Sequence, residues 1–557
     1  MTDFRRTLLW MVFTVSLLML WDAWNKHNGH PTMFGMPVAT TDAVPAAAPG
    51  ASAPGATASA SLPTPSAAGA PAAAAPAAAA PVAASQLVTV RTDVVEAQFD
   101  SRGASLVRLA LLKQVNQQDR TQPVVLFDRS AQRTYLAQSG LIGAPGWPTH
   151  LTPMNVEPGE RELAAGRDAV VLRFVSPPSG GLQRTVSYTL KRGSYVIDVK
   201  QEVSNVGAAP QSPQLYLQLV RDGRPLPEES SFYHTFTGPA VYTADNKFQK
   251  IAFKDLDKGA AEHDKQADNG WVAMVQHYFA SAWLHTAAAP REFFSRKVDG
   301  GDYAVGMIFP LGQIAPGQSK VFDAQLFAGP QEEKKLAELA PGLETVKDYG
   351  IVTILAKPLF WLLDKIHGLV GNWGWAIVLL VVLLKIAFYG LNASAYRSMA
   401  KMKALNPRIQ EMRERLKNDP QKMQMEMMRI YREEKVNPIG GCLPILIQIP
   451  VFIALYWVLL SSVEMRNAPW IGWITDLSVK DPYFVLPVLM TASSLLQTWL
   501  NPTPPDPMQA KLMWIMPLAF SVMFFFFPAG LVLYWLTNNL LSIAQQWMIN
   551  KRLGVTQ

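Results

Sequence analysis

One apolar stretch, GNWGWAIVLLVVLLKIAFYGL at residues 371–391, constrains this chain more than any other. It reaches the length that a helix needs to cross a bilayer, about 20 residues. Its only charged residue, Lys385, lies about 9–15 Å from the predicted inner end of the span, at ~1.5 Å per residue. An ionisable residue inside an apolar span is by default a functional-site candidate. We predict that Lys385 faces a hydrated concavity; the alternative is that its ammonium snorkels to the lipid headgroups.

The remainder of the chain contains several more apolar runs, so we predict a multi-domain integral membrane protein. The chain has 557 residues, of which only 17% are charged, and its net charge is +7. Cys442 is the only cysteine, which excludes an intrachain disulfide. Neither the histidines nor Cys442 has the spacing of a metal site, so we expect no metal and no cofactor.

Six transmembrane α-helices are predicted, at residues 1–25, 371–391, 437–463, 482–500, 512–527 and 530–549. We interpret the first as an uncleaved signal anchor, because no small-residue cleavage site follows it. Arg5 and Arg6 precede it and hold the N-terminus in the cytoplasm. The fifth span corresponds to about 24 Å of helix against an apolar core of ~30 Å, which favours a locally thinned bilayer.

Between the first two spans, the sequence predicts a large all-β domain of the sandwich type at residues 86–345. Apolar and polar residues alternate there, as at Val95, Ala97 and Phe99. Residues 26–85 form an Ala/Pro-rich linker with too few large apolar groups for a core. Residues 346–370 are predicted to include an amphipathic helix on the outer membrane surface. With no hydrolase or nucleotide-binding motif in its sequence, the β domain is interpreted as a binding or spacer domain.

Residues 392–436 are strongly basic, with eleven lysines and arginines against six acids, which predicts a cytoplasmic location. Asn406-Pro407 and Asp419-Pro420 each read as the start of a helix, so we predict an antiparallel helical hairpin. Residues 550–557 form a cytoplasmic tail.

The hairpin offers two kinds of candidate contact residue. Its basic side chains, among them Arg413, Arg415 and Lys417, suit lipid headgroups or ribosomal RNA, and charge alone does not decide between them. Met423 and Met427 fall at helical spacing. They form either the seam of the hairpin or an adaptable surface for apolar segments.

Polar residues on three predicted spans lie at comparable depth: Lys385, Gln448, Thr537 and Asn538. A proton-coupled carrier normally needs an intramembrane acid or histidine relay, and an enzyme needs a catalytic cluster; the sequence of the five C-terminal spans supplies neither. We therefore predict a partly hydrated pocket that binds polar and acidic groups without making bonds. A secondary transporter is the alternative, and a membrane enzyme ranks third.

At these residues the chain resembles the Oxa-type family of membrane-protein insertases, in the Gram-negative form with a large periplasmic domain. The matching stretches are GNWGW (371–375), YRSMAKM (396–402), NPIGGCLPILIQIPVFIALYW (437–457), DPYFVLP (481–487), DPMQ (506–509), FPAGLVLYW (527–535) and, in the β domain, GWVAMVQHYFASAW (270–283).

The resemblance implies a chaperone that inserts, folds and helps assemble integral inner-membrane proteins. It implies a multi-pass protein of the bacterial inner membrane, with both termini in the cytoplasm and the large domain in the periplasm. Its partners would be nascent membrane proteins, the Sec translocon with its accessory subunits, the ribosome and the bilayer, with no small-molecule cofactor.

The resemblance also implies a hydrophilic groove that is open to the cytoplasm and to lipid. Its residues in this sequence would be Lys385, Gln448, Tyr534 and Trp535, joined by Thr537 and Asn538. The family's groove cation is usually Arg, and Lys keeps the charge but loses the bidentate fork. Val381 stands where the family often has a polar residue, so we expect a drier groove.

Overall fold

The structure is a computed structural model that describes residues 62–63, 85–226, 235–298, 300–416, 419–434, 443–501 and 507–552. The predicted signal anchor, almost all of the predicted linker and the candidate residue Lys417 lie outside the described residues. Those described divide into two compact units, one before Asp348 and one from Asp348 onward.

The described residues of the first unit form eighteen strands. Its first nine are β1 (Leu87–Arg91), β2 (Val95–Asp100), β3 (Ser105–Val115), β4 (Pro123–Arg129), β5 (Thr134–Ile142), β6 (Asn155–Val156), β7 (Ala169–Val175), β8 (Leu182–Lys191) and β9 (Val196–Asn205). The others are β10 (Gln214–Asp222), β11 (Gly238–Thr243), β12 (Lys247–Lys250), β13 (Gln266–Ala267), β14 (Trp271–Val275), β15 (Phe279–Leu284), β16 (Arg291–Val298), β17 (Asp302–Pro310) and β18 (Ser319–Pro330).

These strands form two nine-stranded antiparallel sheets. One sheet has the order β1-β2-β3-β4-β5-β10-β17-β16-β13, and the other has β12-β11-β14-β15-β18-β9-β8-β7-β6. The alternation that predicted strands is confirmed, since Val95, Ala97 and Phe99 are all buried. The turn between β8 and β9 contains Gly193 at φ +67°, a left-handed conformation that glycine adopts without steric cost.

Side chains from each sheet hydrogen-bond to the other, which confirms the predicted sandwich. Trp283 Nε1 of β15 donates to the carbonyl of Gln218 in β10 at 3.1 Å. Tyr135 of β5 and Ser281 of β15 join their hydroxyls at 2.5 Å. Since buried polar groups are costly without partners, these bonds fix how the two sheets face each other.

The helices of the first unit are short, and those of the second unit are longer. The first unit holds α1 (Phe253–Asp257) and α2 (Glu333–Leu339). The second holds α3 (Thr353–Val370), α4 (Trp373–Ala387), α5 (Tyr389–Arg415), α6 (Pro420–Glu433), α7 (Leu443–Ser461), α8 (Val485–Leu500), α9 (Pro507–Phe524) and α10 (Ala529–Arg552). Short 3-10 turns lie at Leu343–Val346, Gly350–Val352 and Val463–Met465.

Two predicted helix boundaries differ from the structure. Asn406-Pro407 does not start a helix, because Pro407 lies inside the continuous helix α5. A proline inside a helix removes one backbone hydrogen bond, and the packing of α5 against α6 offsets that loss. The predicted span at 371–391 is also not one helix, because α4 ends before Phe388 and α5 leaves at an angle of 67°.

Helix α3 is amphipathic as predicted, but its buried face packs on protein. Phe360, Leu363 and Ile366 join the core that α4, α7 and α10 share. Ile354 and Leu369 are instead each 87% exposed. The location of α3 on the membrane surface stays a prediction.

By length and composition, no single helix in the described ranges suffices to cross a membrane, whereas α4 together with Tyr389–Ser398 of α5 does. Shorter apolar helices lie at Gln448–Ser461, Val485–Leu500 and Ala510–Phe524. The count of six spans therefore stays a prediction. Helix α9 exposes Ile515, Leu518, Phe520 and Val522, an apolar surface of the kind that suits lipid.

Candidate polar groove

The site lies at the break between helices α4 and α5. Asn372 caps α4 by accepting a hydrogen bond from the backbone N–H of Trp375 at 3.0 Å. Lys385 lies in the last turn of α4, three residues before the break at Phe388. Helix α5 then departs at 67°, so Lys385 lies directly before the bend.

An open pocket of about 430 Å³ lies at this bend, and we call it the polar groove. Helices α4, α5, α7 and α10 contribute to it, together with Phe388 at the break. Its lining residues are Val381, Leu384, Lys385, Phe388, Leu391, Asn392, Gln448, Val451, Tyr534 and Asn538.

Two hydrogen bonds connect the walls of the groove. Lys385 Nζ donates to Ser542 Oγ of α10 at 2.7 Å. Gln448 Nε2 of α7 donates to Asn538 Oδ1 of α10 at 2.8 Å. The Lys385 side chain therefore reaches across to α10 instead of lying along its own helix.

Among the described residues, the lining is apolar apart from one cation, three amides and one phenol, and it includes no carboxylate. Val381, Leu384 and Leu391 contribute hydrocarbon to the same pocket as Lys385. Two charges attract each other more strongly in such a low-dielectric setting than in water. The groove is thus suited to attract anionic and amide groups, and its lower hydration owing to Val381 stays a prediction.

Two predicted groove residues do not line it. Trp535 packs edge-on against Phe452 and Phe524, with ring centroids 4.3 and 4.7 Å away. Thr537 Oγ1 donates to the carbonyl of Leu533 at 2.8 Å within its own helix. Successive helical residues are about 100° apart, so neighbours of Tyr534 and Asn538 point elsewhere.

The sequence analysis did not identify three further polar residues at or near the groove. Ser542 of α10 contacts Lys385, and Asn392 of α5 lines the groove. On a different face of α10, Asn539 Nδ2 donates to Ser493 Oγ at 3.2 Å and to Ser494 Oγ at 2.9 Å, both in α8. The signal was present in the sequence, because polar residues at 538, 542 and 545 recur at helical spacing.

The helical hairpin, formed by α5 and α6, agrees with the first of the two alternatives for Met423 and Met427. Met423 and Met427 pack into its seam against Ile409, Met412 and Ile430. They are therefore structural, because the 3.6-residue period puts them on the face that meets α5. The exposed methionines are Met425 and Met428, at 66% and 46%.

Charged residues also hold the hairpin together. Arg408 of α5 pairs with Glu433 at 3.3 Å and with Glu434 at 2.9 Å. Asp419 caps α6 as predicted, accepting from the backbone N–H of Lys422 at 3.1 Å. Arg415 is exposed and Arg413 is half-buried, so the predicted contact residues of α5 differ in their accessibility.

An all-β domain followed in the chain by an apolar helical unit with a polar pocket at a helix bend defines a multi-domain membrane protein. Residues 87–362 match the family described as the YidC periplasmic domain, and residues 365–555 match the family described as the 60Kd inner membrane protein. The chain belongs to the YidC family of membrane protein insertases. It is accordingly an inner-membrane protein with a periplasmic domain, as predicted.

Full-length relatives support the assignment to this family. The membrane protein insertase YidC of Cupriavidus metallidurans is 56% identical over 552 residues, covering 99% of this chain and 98% of the relative. That of Ralstonia nicotianae is 56% identical over 555 residues, covering 100% and 99%. A solved structure, of an active YidC insertase with its first transmembrane domain resolved, aligns with 83% of this chain and 92% of its own, at 20% identity and a TM-score of 0.37.

Proposed function

We propose that the polar groove receives the polar parts of nascent membrane proteins, and that the chain thereby inserts, folds and helps assemble inner-membrane proteins. The observation that supports this most directly is the meeting of Lys385, Gln448 and Asn538 around one pocket between apolar helices. The relatives' shared name, membrane protein insertase, agrees with it.

The groove lowers the barrier that a client's polar tail meets. Moving an amide into hydrocarbon without a partner costs roughly 2–7 kcal/mol. The amides of Gln448 and Asn538 offer replacement hydrogen bonds, and Lys385 offers a countercharge to an acidic side chain. The client's apolar segment then leaves sideways into lipid, where its own helix satisfies its backbone.

We propose six membrane spans with both termini in the cytoplasm. The excess of basic residues at 392–436 supports a cytoplasmic hairpin. The apolar exposed surface of α9 supports contact with lipid, and the 18 residues of α9 support a bilayer thinner than average.

We propose that clients arrive either directly from the ribosome or together with the Sec translocon. The exposed basic residues of the hairpin, including Arg415, support contact with the negatively charged ribosome. The exposed Met425 and Met428 support contact with apolar client segments.

The proposed activity is binding and release, not catalysis. One amine, three amides and one phenol without a carboxylate in the groove lining are a poor acid–base set. The same lining disfavours the alternative of a secondary transporter, since proton coupling normally uses an acid or a histidine.

Site-specific photocrosslinking to a stalled nascent membrane protein tests the proposal. The crosslinker replaces Leu384 or Val451, which line the groove without supplying its polar groups. Matched controls carry it at Leu489 of α8 or Leu518 of α9, which are apolar, exposed and outside the groove.

We expect the client to crosslink at Leu384 and Val451 several-fold more than at the two controls. Equal yields at all four positions would show that clients meet the helices without using the groove, and would overturn the proposal.

A further inference from the structure

We propose that Ser542 is a positioning residue of the groove, which holds the Lys385 ammonium against α10 and so sets the strength with which an acidic client is attracted. This inference rests on the proposed function and assigns a role to a residue that does not itself line the groove.

The hydrogen bonds of Ser542 fix the direction of its oxygen. Ser542 Oγ donates to the carbonyl of Asn538 at 2.7 Å, one helical turn earlier. Its proton is thereby committed to the backbone, and its lone pairs are left for donors. Lys385 Nζ donates to it at 2.7 Å.

This bond links the helix before the break to α10. Lys385 lies in α4, just before the 67° bend, and Ser542 lies in α10. Ser542 is only 3% exposed, which shields the bond from competing water. The bond therefore restrains the position of the ammonium.

Lysine needs such a restraint because of its flexible stem. In the part of the chain that the structure describes, Ser542 is the one hydrogen-bond partner of the Lys385 ammonium. Without it, the four-carbon stem is free to carry the charge towards the aqueous edge of the groove. A client carboxylate next to Gln448 and Asn538 would then lose its fixed countercharge.

The test compares two versions of one single-span client, with either aspartates or asparagines in its translocated tail. Insertion of both is measured in membranes containing the full-length chain, and the readout is the acidic-to-neutral ratio. The variants are Ser542→Ala, Ser542→Thr, Lys385→Met and the double variant Lys385→Met/Ser542→Ala. Ser521→Ala is the matched control, because Ser521 of α9 is also buried and also donates to a carbonyl four residues earlier, at 2.7 Å.

We expect Ser542→Ala to lower the ratio about three- to tenfold, the range for one net hydrogen bond. Ser542→Thr, which keeps the hydroxyl, should restore most of it, and Ser521→Ala should leave it unchanged. In the Lys385→Met background, Ser542→Ala should cause no further drop, because the two residues act through one contact.

Equal loss for both clients in Ser542→Ala would mean a purely structural role and would overturn the inference. An unchanged ratio in Ser542→Ala, with a reduced ratio in Lys385→Met, would overturn this inference alone. An unchanged ratio in Lys385→Met would overturn it together with the proposed role of Lys385 in insertion.

Discussion

Gln448 and Asn538 face each other across the polar groove, with the Gln448 amide nitrogen 2.8 Å from the Asn538 side-chain oxygen. This bond joins α7 to α10, and a client must compete with it for the same two amides. The resting groove thus pairs these two amides with each other, which stabilises them when no client is present.

Replacing one of the two amides should cost more stability than replacing both. Gln448→Leu or Asn538→Leu leaves a partner amide unpaired, a loss of about 1–3 kcal/mol, whereas the double leucine variant should recover most of it. Insertion should be impaired in all three variants. Thermal unfolding in detergent and an insertion assay measure the two effects, with Thr537→Val as a control outside the groove. Additive destabilisation in the double variant would contradict this prediction.

The charge at Lys385 should matter more than its identity. Lys385→Arg should retain function, since the charge is kept, while Lys385→Ala and Lys385→Glu should impair clients with acidic tails. The measurement is insertion of such a client in cells depleted of the native protein. Full complementation by the Glu variant would exclude the proposed attraction.

The methionines of the hairpin should separate into two functional groups. Met423→Ala/Met427→Ala removes packing from the seam and should destabilise the hairpin by about 1–3 kcal/mol. Met425→Ala/Met428→Ala leaves the seam intact and should instead weaken crosslinking of a stalled client to the hairpin. Limited proteolysis reports the first effect and photocrosslinking the second. The prediction is wrong if the two pairs behave alike.

Reversing the charges of α5 should weaken capture of the ribosome–nascent chain complex. In Arg413→Glu/Arg415→Glu, crosslinks to the hairpin and to the groove should both fall, because an exposed basic surface attracts an anionic partner over long range. Added salt should reduce capture by the unaltered chain in the same way. Undiminished yields at both positions would show that the hairpin is not the element that receives clients.

The β-sandwich should lose stability in alkali. Burial raises the pKa of Tyr135 and of Tyr188 to about 12, although Ser281 hydrogen-bonds to the first phenol and lowers it slightly. The unfolded chain releases these protons near pH 10, so the folded state binds more protons between about pH 10 and 12. The free energy of unfolding should therefore fall by about 1.4 kcal/mol per pH unit for each phenol.

Unfolding of the chain in denaturant across this pH range measures the effect. Tyr135→Phe and Tyr188→Phe should each flatten the decline, at a cost near neutral pH of about 1 kcal/mol for the lost hydrogen bond. The control is Tyr483→Phe, since Tyr483 is exposed. An unchanged slope in both buried variants would refute the assignment.

Local sequence signals predicted most strands and helices of the fold. Features that depend on contacts between residues distant in the sequence could not be predicted from it. The Asp419 cap and the break between Phe524 and Ala529 follow from residues within one turn of each other. Pro407 was misread because a proline marks a helix start only when tertiary packing does not offset its cost.

The site shows the same limit. Lys385, Gln448, Tyr534 and Asn538 stand out as polar groups in apolar runs, and the structure brings them together. Residue type alone did not say which neighbours share their face, so the prediction also included Trp535 and Thr537, which do not line this pocket. Ser542 was not predicted, because serine is common in membrane helices and only its hydrogen bond with Lys385 distinguishes it.

Adjacent asparagines on α10 serve different faces of that helix, since Asn538 faces the groove and Asn539 bonds to Ser493 and Ser494 of α8. A single-residue deletion just before this pair would turn everything that follows by about 100° relative to the preceding segment. Asn539 would then take the place of Asn538, and Leu540 would take the place of Asn539, so the hydrogen bonds that anchor α10 to α8 would be lost. The number of residues in α10 is therefore constrained more tightly than their identity. We expect α10 to tolerate many substitutions but no insertion or deletion.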